Sequence, residues 1–204
     1  MPGLFVTGTD TGVGKTVLSA ALMLRYPEAV YWKPIQTGTN DNAADDTAEV
    51  RRLCGGRVID MGVRLPDPVS PHLAARRAGI RIELPSLDGS AGVRIVEGAG
   101  GVLVPINESE TMADLITLLG LPVIVAARST LGTINHTLLT LEALRTRKLR
   151  TAGVVMIGDR DPHNRAAIED YGHVPVIAEM PRFDPLTREC LRAWAETLPT
   201  DLIA

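Results

Sequence analysis

The stretch Gly8-Thr9-Asp10-Thr11-Gly12-Val13-Gly14-Lys15-Thr16 decides the fold of this chain. It follows a short apolar run at 4–6 and precedes a helix-like run at 17–25. A strand, a glycine-rich turn and Gly-Lys-Thr at the start of a helix are typical of a phosphate-binding loop. Backbone N–H groups of such a loop converge on one anion, and the helix dipole favours negative charge there. Lys15 would reach the outer phosphates, and the Thr16 hydroxyl would ligate Mg²⁺.

The spacing of this loop departs from the common motif in one respect. Five residues separate Gly8 from Gly14 where the common motif has four, and Thr9 stands at the usual position of the first glycine. A glycine turn before an ordinary helix is the alternative interpretation. The glycines, the lysine, the hydroxyl and the flanking pattern all agree with the phosphate-binding loop, and we favour that interpretation.

Composition and charge limit the classes to which the chain can belong. Its 204 residues are enough for one domain, which we expect to span 1–204. Hydrophobic residues make up 45% of the chain and aromatic residues only 3%, which predicts an aliphatic core. The net charge of −3 argues against nucleic acid as the main partner, because neutralising phosphates needs an excess of Lys and Arg.

Three features of the sequence predict a cytoplasmic protein. No apolar run approaches the roughly 18–20 residues that span a bilayer, so we expect no membrane partner. The N-terminal segment lacks the basic and apolar regions of a secretory signal. Cys54 and Cys190 lie far apart without a metal-like spacing, which predicts reduced, structural thiols.

Short apolar runs alternate with helix-like stretches along the whole chain. We predict strands at 4–7, 30–33, 93–97, 123–127, 153–157 and 174–177, and helices at 15–25, 47–53, 71–78, 112–119, 133–147, 164–171 and 185–198. Near-continuous Val and Ile runs are typical of strands buried on both faces. The predicted fold is α/β: a mainly parallel sheet of about seven strands, flanked by helices on both faces. We interpret the proline-rich 65–71 as irregular and 79–92 as a surface excursion.

Polar residues after the strands are the candidates for function, because ligands of parallel sheets bind beyond the carboxyl ends of the strands. The second strand runs into Lys33-Pro34-Ile35-Gln36-Thr37-Gly38. Alone, Lys33 would be a solvated surface charge. Beside a phosphate-binding loop, a second ammonium could neutralise a transferring phosphoryl group. Pro34 and Gly38 suggest a shaped turn that aims Lys33 and Thr37 at one site.

Two places offer carboxylates for Mg²⁺. Asp45 and Asp46 precede a predicted helix, so either one could be its N-cap while the other binds metal. Glu97 closes an otherwise apolar strand, and burying a carboxylate is costly unless it is paired or bound to metal. The glycines at 98, 100 and 101 would let the backbone approach a ligand closely, although a plain glycine turn with an exposed Glu97 is the alternative.

A fourth place is the loop Ser129-Thr130-Leu131-Gly132-Thr133-Ile134-Asn135-His136, which enters a long predicted helix. Free N–H groups near Gly132 and Thr133 could hold an anion such as a carboxylate. A plain Thr N-cap explains the same residues equally well.

With these residues in view, the chain resembles the dethiobiotin synthetase family over nearly its whole length. The matching stretches are the loop at 8–16 with its longer spacing, the Lys-Pro loop at 33–38, Pro71-His72, Val96-Glu97-Gly98-Ala99-Gly100-Gly101 and Leu131-Gly132-Thr133-Ile134-Asn135-His136. The resemblance implies the fold of P-loop NTPases. It also implies ATP, CO₂ and 7,8-diaminononanoate as substrates, Mg²⁺ as cofactor, a homodimer, and closure of the ureido ring of dethiobiotin in biotin biosynthesis.

The resemblance implies a role for each matching residue. Lys33 and Lys15 would be catalytic, and Thr16, Asp46 and Glu97 would hold Mg²⁺. Asp46 is preferred to Asp45 because of its spacing to the Ala-Glu-Val that follows. The nucleotide would contact Gly12, Val13, Gly14, Lys15, Thr16, Val17, Asp46, Glu97, Gly98, Ala99, Gly100, Gly158, Met180, Pro181 and Arg182. The diamine would contact Thr11, Thr37, Leu131, Gly132, Thr133, Ile134 and Asn135, the last five across a dimer interface.

The chain departs from the family pattern at two places, and one other class of protein competes. Gly158 stands where many relatives have an asparagine that reads adenine, so the preferred base stays open. The stretch 79–92 is shorter than the helical segment expected there.

The nearest rival is a dimeric partitioning or division-site ATPase of the same fold. Such switches usually carry a second lysine where this chain has Asp10, and often a basic membrane-binding tail where the segment 190–196 is mixed in charge.

Overall fold

The computed structural model describes residues 2–40, 45–55, 57–59, 62–84 and 92–203. Within these ranges the strands are β1 (Gly3–Gly8), β2 (Val30–Trp32), β3 (Ile35–Thr37), β4 (Arg57–Ile59), β5 (Val63–Leu65), β6 (Arg94–Gly101), β7 (Val123–Arg128), β8 (Thr151–Ile157) and β9 (Val176–Met180). The helices are α1 (Lys15–Arg25), α2 (Asp46–Cys54), α3 (Pro71–Arg77), α4 (Met112–Leu119), α5 (Thr133–Thr146), α6 (Pro162–Gly172) and α7 (Arg188–Ala195).

Seven of these strands form one sheet in the order β4-β2-β6-β1-β7-β8-β9. All six neighbouring pairs are parallel. β1 therefore lies at the centre, with three strands on either side. Because all the strands point the same way, their carboxyl ends share one edge, and the loop after β1 lies at the middle of that edge.

The residues of β1 show why the sheet must be covered on both faces. Leu4 and Val6 are fully buried on one face, and Phe5 is fully buried on the other. The first face packs against α1, α2 and α7, through Leu18, Leu22, Val50 and Leu191 among others. The second face packs against α3, α4, α5 and α6, through Ala74, Leu115, Leu141 and Ile168 among others. The core is aliphatic, as the composition predicts, and Trp32 is its largest aromatic member.

A second, two-stranded sheet pairs β3 with β5 in parallel. Backbone bonds extend this pairing at both ends: the Val63 amide donates to the Pro34 carbonyl at 2.8 Å, and the Gly38 amide donates to the Asp67 carbonyl at 3.0 Å. Gly38 has a φ of +74° and closes against Pro68. The segment that follows Lys33 is thereby fixed against the proline-rich segment at 66–70.

The predicted α/β fold with a parallel sheet is confirmed, and every predicted helix is present, six of the seven within two residues of their predicted bounds. Four details of the prediction are wrong. The sequence pattern missed β3, β4 and β5, which have three residues each. β6 continues through the glycines to Gly101, so Glu97 lies inside the strand. The helix predicted at 185–198 spans only Arg188–Ala195.

The fourth correction concerns the predicted surface excursion at 79–92. Ile82 and Leu84 are almost fully buried, because both pack into the core on the α3–α6 side. Residues 85–91 lie outside the described part of the chain.

Cys54 and Cys190 are both free thiols, and only Cys54 is buried. Within the described ranges, no helix combines the length and the apolar character needed to cross a bilayer.

Candidate active site

The glycine-rich loop joins the end of β1 to the start of α1. Gly12 and Gly14 have φ angles of +70° and +102°, which turn the loop amides toward one side. Gly14 is the N-cap of α1 and provides no capping side chain, so the first amides of the helix stay available to an anion. The Lys15 ammonium folds back over the loop and donates to the Asp10 carbonyl at 3.0 Å. The loop is thus built around a site for negative charge.

Lys33, at the end of β2, reaches the same site and is almost fully buried. Its ammonium lies 2.6 Å from Asp46 Oδ2 and 2.8 Å from Glu97 Oε1. The Thr16 hydroxyl lies 2.8 Å from Asp46 Oδ1 and 3.1 Å from Glu97 Oε1. Four side chains that are far apart in sequence therefore form one cluster beside the phosphate-binding loop.

The two lysines of the site differ in how their environment shifts their pKa values. Burial alone lowers the pKa of Lys33, but the carboxylates of Glu97 and Asp46 outweigh it, and the net pKa is raised. Burial lowers the pKa of Lys15, and the attraction of Glu97 offsets this only in part. The proton of Lys33 is therefore held more tightly than that of an exposed lysine, and the proton of Lys15 less tightly.

The cluster has the ligand chemistry of a magnesium site. Mg²⁺ prefers oxygen ligands and is usually held by one or two carboxylates, with substrate phosphates and water completing its shell. Thr16, Asp46 and Glu97 supply one hydroxyl and two carboxylates. The Lys33 ammonium bridges these carboxylates as a stand-in cation. No group of three or more His, Cys, Asp or Glu residues suited to a metal occurs in the described ranges, so a metal here relies on the hydroxyl and the phosphates.

The structure separates the roles of the two neighbouring aspartates. The Asp45 side chain is the N-cap of α2, accepting from the Thr47 amide at 3.0 Å, and it pairs with Arg64 at 2.6 Å. Asp46 is the first helical residue and turns toward Thr16 and Lys33. The geometry therefore supports Asp46 as the metal ligand and Asp45 as the cap.

Substituting the two aspartates separately tests this division. We expect Asp45→Ala to lower the free energy of unfolding by about 0.5–2 kcal/mol, the usual cost of losing an N-cap, with turnover little changed. We expect Asp46→Asn to weaken magnesium-dependent nucleotide binding by at least about tenfold, since even outer-shell partners of a metal commonly cost that much. Chemical denaturation and calorimetric nucleotide titration measure the two effects. The opposite pattern would assign the metal to Asp45.

A cavity of about 660 Å³ opens in front of this cluster. Its walls include Lys15, Lys33 and Thr37. Thr11, Ala99 and Gly100, all predicted to contact ligand, also line it, together with Pro68, Val69, Ser70 and Pro71. Pro68, Val69 and Ser70 belong to no motif in the sequence, and only the proline content of 65–71 marked them as irregular, whereas Pro71 lies in the Pro71-His72 stretch that matches the family. One cavity therefore joins the phosphate-binding loop to the segment after Lys33.

A second cavity of about 410 Å³ lies on the other side of the phosphate-binding loop. It is lined by the loop and by the segment after β9, with Val17, Met180, Pro181 and Arg182 among its walls. Apolar side chains such as Ile157 and Phe183 also face it, which suits a flat base. The two cavities meet at Gly12 and Gly14.

Gly158 is not among the residues that line either cavity. Its amide donates to the Met180 carbonyl at 2.9 Å, and its φ is +130°. A Cβ at this position would lie 2.4 Å from Ser129 Oγ. The glycine is therefore required by its own backbone and by Ser129, and an asparagine there would need both to rearrange.

The turn at 131–135 does not line the cavity that contains Lys33. Gly132 is the N-cap of α5 with a φ of +93°, and Leu131 is fully exposed. The Thr133 amide already donates to the Thr130 carbonyl at 3.1 Å, so the expectation of a free amide at Thr133 is wrong. Within one chain, residues 131–135 therefore share no cavity wall with Lys33.

Two contacts at the site were missed in the sequence. The Tyr31 hydroxyl donates to Glu97 Oε2 at 2.9 Å, and Arg128 pairs with Asp10 of the phosphate-binding loop at 2.9 Å. Burial raises the pKa of Tyr31 well above its ordinary value, and the charge of Glu97 adds to this. The sequence did contain a signal for Tyr31, because its phenol lies within an apolar predicted strand and a buried hydroxyl needs a hydrogen-bond partner.

Comparison with known proteins places these observations in a family context. Residues 2–190 match the family model described as an AAA domain. An ATP-dependent dethiobiotin synthetase from Paramagnetospirillum magneticum is 54% identical, and the match covers 88% of both chains. One from Rhodopseudomonas palustris is 44% identical, covering 97% of this chain and 94% of that one. The biotin biosynthesis bifunctional protein of Bordetella avium is 48% identical over 97% of this chain, which spans only 43% of that relative.

Two solved structures share the fold at low sequence identity. A ParA family ATPase from Chlorobium tepidum has a TM-score of 0.55 at 11% identity, covering 95% of this chain and 89% of that one. The septum site-determining protein MinD from Pyrococcus horikoshii has a TM-score of 0.56 at 17% identity, covering 97% of this chain and 86% of that one. At such identities the likeness extends to the fold and not to activity, so it does not favour the rival switch.

Proposed function

The chain belongs to the family of ATP-dependent dethiobiotin synthetases, and we propose that it uses ATP to convert 7,8-diaminononanoate and CO₂ into dethiobiotin. One observation carries the proposal at the level of the site. Lys33 meets Asp46 and Glu97 beside the phosphate-binding loop, in a cavity that also includes Thr37. A nucleotide-binding module without chemistry would leave the second buried lysine without a task.

The reaction needs no nucleophile from the protein, because both amines and the carbamate oxygen belong to the substrate. One amine of the substrate adds to CO₂, loses a proton and gives a carbamate. A carbamate oxygen then attacks the γ-phosphorus of ATP, ADP leaves, and a carbamic–phosphoric anhydride forms. The second amine attacks the carbonyl carbon, closes the ring, expels phosphate and gives up one proton to the departing phosphate or to water. In the described ranges, the charged groups that line the cavity are the ammoniums of Lys15 and Lys33 and the carboxylates of Asp46 and Glu97, which suits chemistry whose nucleophiles come from the substrate.

The task of the protein is to hold charge and to fix the reacting groups. The amides of the phosphate-binding loop and the Lys15 ammonium bind the outer phosphates. The Lys33 ammonium lines the same cavity. There it would stabilise the negative charge that builds up as the phosphoryl group moves. Thr37 holds the diamine at a fixed place against the γ-phosphate. Mg²⁺, held by Thr16, Asp46 and Glu97, neutralises phosphate charge when bound.

We further propose a homodimer in which the turn at 131–135 of one protomer binds the substrate carboxylate of its partner. The turn shares no cavity wall with Lys33 of its own chain, which leaves the cavity of a partner protomer as the place where it would act. Leu103 and Leu139, each about half exposed, line a groove beside Thr11, and a cluster of exposed apolar side chains is typical of an interface. A sedimentation experiment that reports the mass of a single 21.8 kDa chain would contradict the dimer.

Phosphate release measured with and without substrate tests the proposed reaction. We expect little release from Mg·ATP alone, and a large increase when 7,8-diaminononanoate and bicarbonate are both present. Labelled bicarbonate should appear in an acid-stable product in equal amount to the phosphate released. A nucleotide-dependent switch of the same fold would instead hydrolyse ATP without regard to the diamine, and that result would overturn the proposal.

A further inference from the structure

Tyr31 is a fully buried residue of β2, and its phenol contacts the site residue Glu97. Its hydroxyl donates to Glu97 Oε2 at 2.9 Å. The other carboxylate oxygen, Oε1, faces Lys33 at 2.8 Å and the Thr16 hydroxyl at 3.1 Å. The two oxygens of Glu97 therefore have separate partners, one in the core and one at the site.

The register of the sheet makes this arrangement rigid. β2 pairs with β6 in parallel, with Tyr31 opposite Ile95. Glu97 lies two residues beyond Ile95, so it shares a face with Ile95 and stands diagonal to Tyr31. Both side chains rise from strands of the central sheet, which hold a contact more closely than loops do.

We propose that Tyr31 is a positioning residue, which fixes the rotation of the Glu97 carboxylate so that Oε1 faces the side of the site where Thr16, Asp46 and Glu97 would hold a cation. The inference rests on the proposed function, since it extends the site described there. Glu97 is only 1% exposed, so Oε2 has no ready replacement for the phenol. Without the phenol, the carboxylate would be able to rotate and bring Oε2 to another donor. Such rotation would move Oε1 away from the cation, as loss of an outer-shell partner does at other metal sites.

Tyr31→Phe tests the proposal, with Tyr26→Phe as a matched control. Tyr26 is also buried, and its hydroxyl donates to the Pro199 carbonyl at 2.9 Å. Each variant thus loses one phenol hydrogen bond, but only one loss touches Glu97. Calorimetric titration with ADP, in excess Mg²⁺ and in EDTA, gives the magnesium-dependent gain in affinity. We expect that gain to fall about tenfold or more in Tyr31→Phe, with binding in EDTA unchanged, and to stay at the wild-type value in Tyr26→Phe.

A double-substitution cycle with Glu97→Gln checks that Tyr31 acts through Glu97. Tyr31→Phe should have no further effect on the magnesium-dependent gain once Glu97 is replaced. An unchanged gain in Tyr31→Phe would overturn the proposal, and so would equal losses in Mg²⁺ and in EDTA, which indicate a change of pocket shape. If Tyr31→Phe does not fold while Tyr26→Phe does, that result would also overturn the proposal, because the Tyr31 phenol would then be needed by the fold as a whole and not by the cation alone.

The titration needs no diamine, so its outcome is separable from that of the proposed function. A wild-type protein with diamine-dependent phosphate release and a silent Tyr31→Phe variant would remove only this inference. A wild-type protein without diamine-dependent phosphate release would remove the proposed reaction. The effect of Tyr31→Phe on the magnesium-dependent gain in ADP affinity would still be valid.

Discussion

The Lys33→Gln variant is expected to release phosphate in the presence of diamine and bicarbonate at least about a hundredfold more slowly than the wild type. The substitution keeps a polar side chain, one bond shorter than lysine, but removes the only ammonium that contacts both Asp46 and Glu97 among the described residues. Glutamine cannot stabilise the charge of a moving phosphoryl group as an ammonium does. Because the phosphate-binding loop is untouched, nucleotide affinity should change by much less than turnover.

The chain offers a well-matched control for this variant. It contains three lysines, and the third, Lys148, is exposed in the turn after α5. Lys148→Gln removes the same charge from the protein and should leave turnover unchanged. Initial rates of phosphate release measure both variants. A rate for Lys33→Gln within tenfold of the wild type would remove Lys33 from the catalytic role assigned to it.

The Lys15→Gln variant is expected to lose turnover by a similar or larger factor, but by a different route. The Lys15 ammonium is buried and held over the phosphate-binding loop by the Asp10 carbonyl, where the outer phosphates of a nucleotide would lie. Its removal should therefore weaken a non-hydrolysable ATP analogue more than it weakens AMP. Lys33→Gln should leave the affinities for both ligands near their wild-type values.

Calorimetric titration of both ligands distinguishes the two lysines. If Lys15→Gln binds the triphosphate analogue as tightly as the wild type does, the loop does not hold phosphates in the way proposed. If both variants lose triphosphate affinity equally, the division of labour between Lys15 and Lys33 is wrong even though both matter.

The parts of the fold that the sequence predicted are those set by local patterns. The loop between β1 and α1 has its glycines, lysine and hydroxyl at fixed spacing, so chain neighbours suffice to define it. Glu97 could be predicted as partly buried because it follows an apolar run in its strand, and a buried carboxylate needs a cation or a donor beside it. The strands β3, β4 and β5 were missed because three residues carry no readable period.

Other features depended on contacts that sequence spacing does not reveal. Either Asp45 or Asp46 could cap a helix, and only the long-range positions of Arg64 and Thr16 distinguish them. The glycines after Glu97 suggest a turn, yet β6 continues through them with a shift of register against β1. Ile82 is buried because the segment after α3 packs against the core, and no local sequence pattern indicates that contact.

Trp32 gives the protein an internal optical reporter. It is one of only two tryptophans, it directly precedes Lys33, and its ring lies 5.9 Å from the guanidinium carbon of Arg94. The other, Trp194, is anchored in α7 by a bond to the Glu179 carbonyl. In a Trp194→Phe background, the emission of Trp32 would follow the segment that bears Lys33 in real time, without any attached dye.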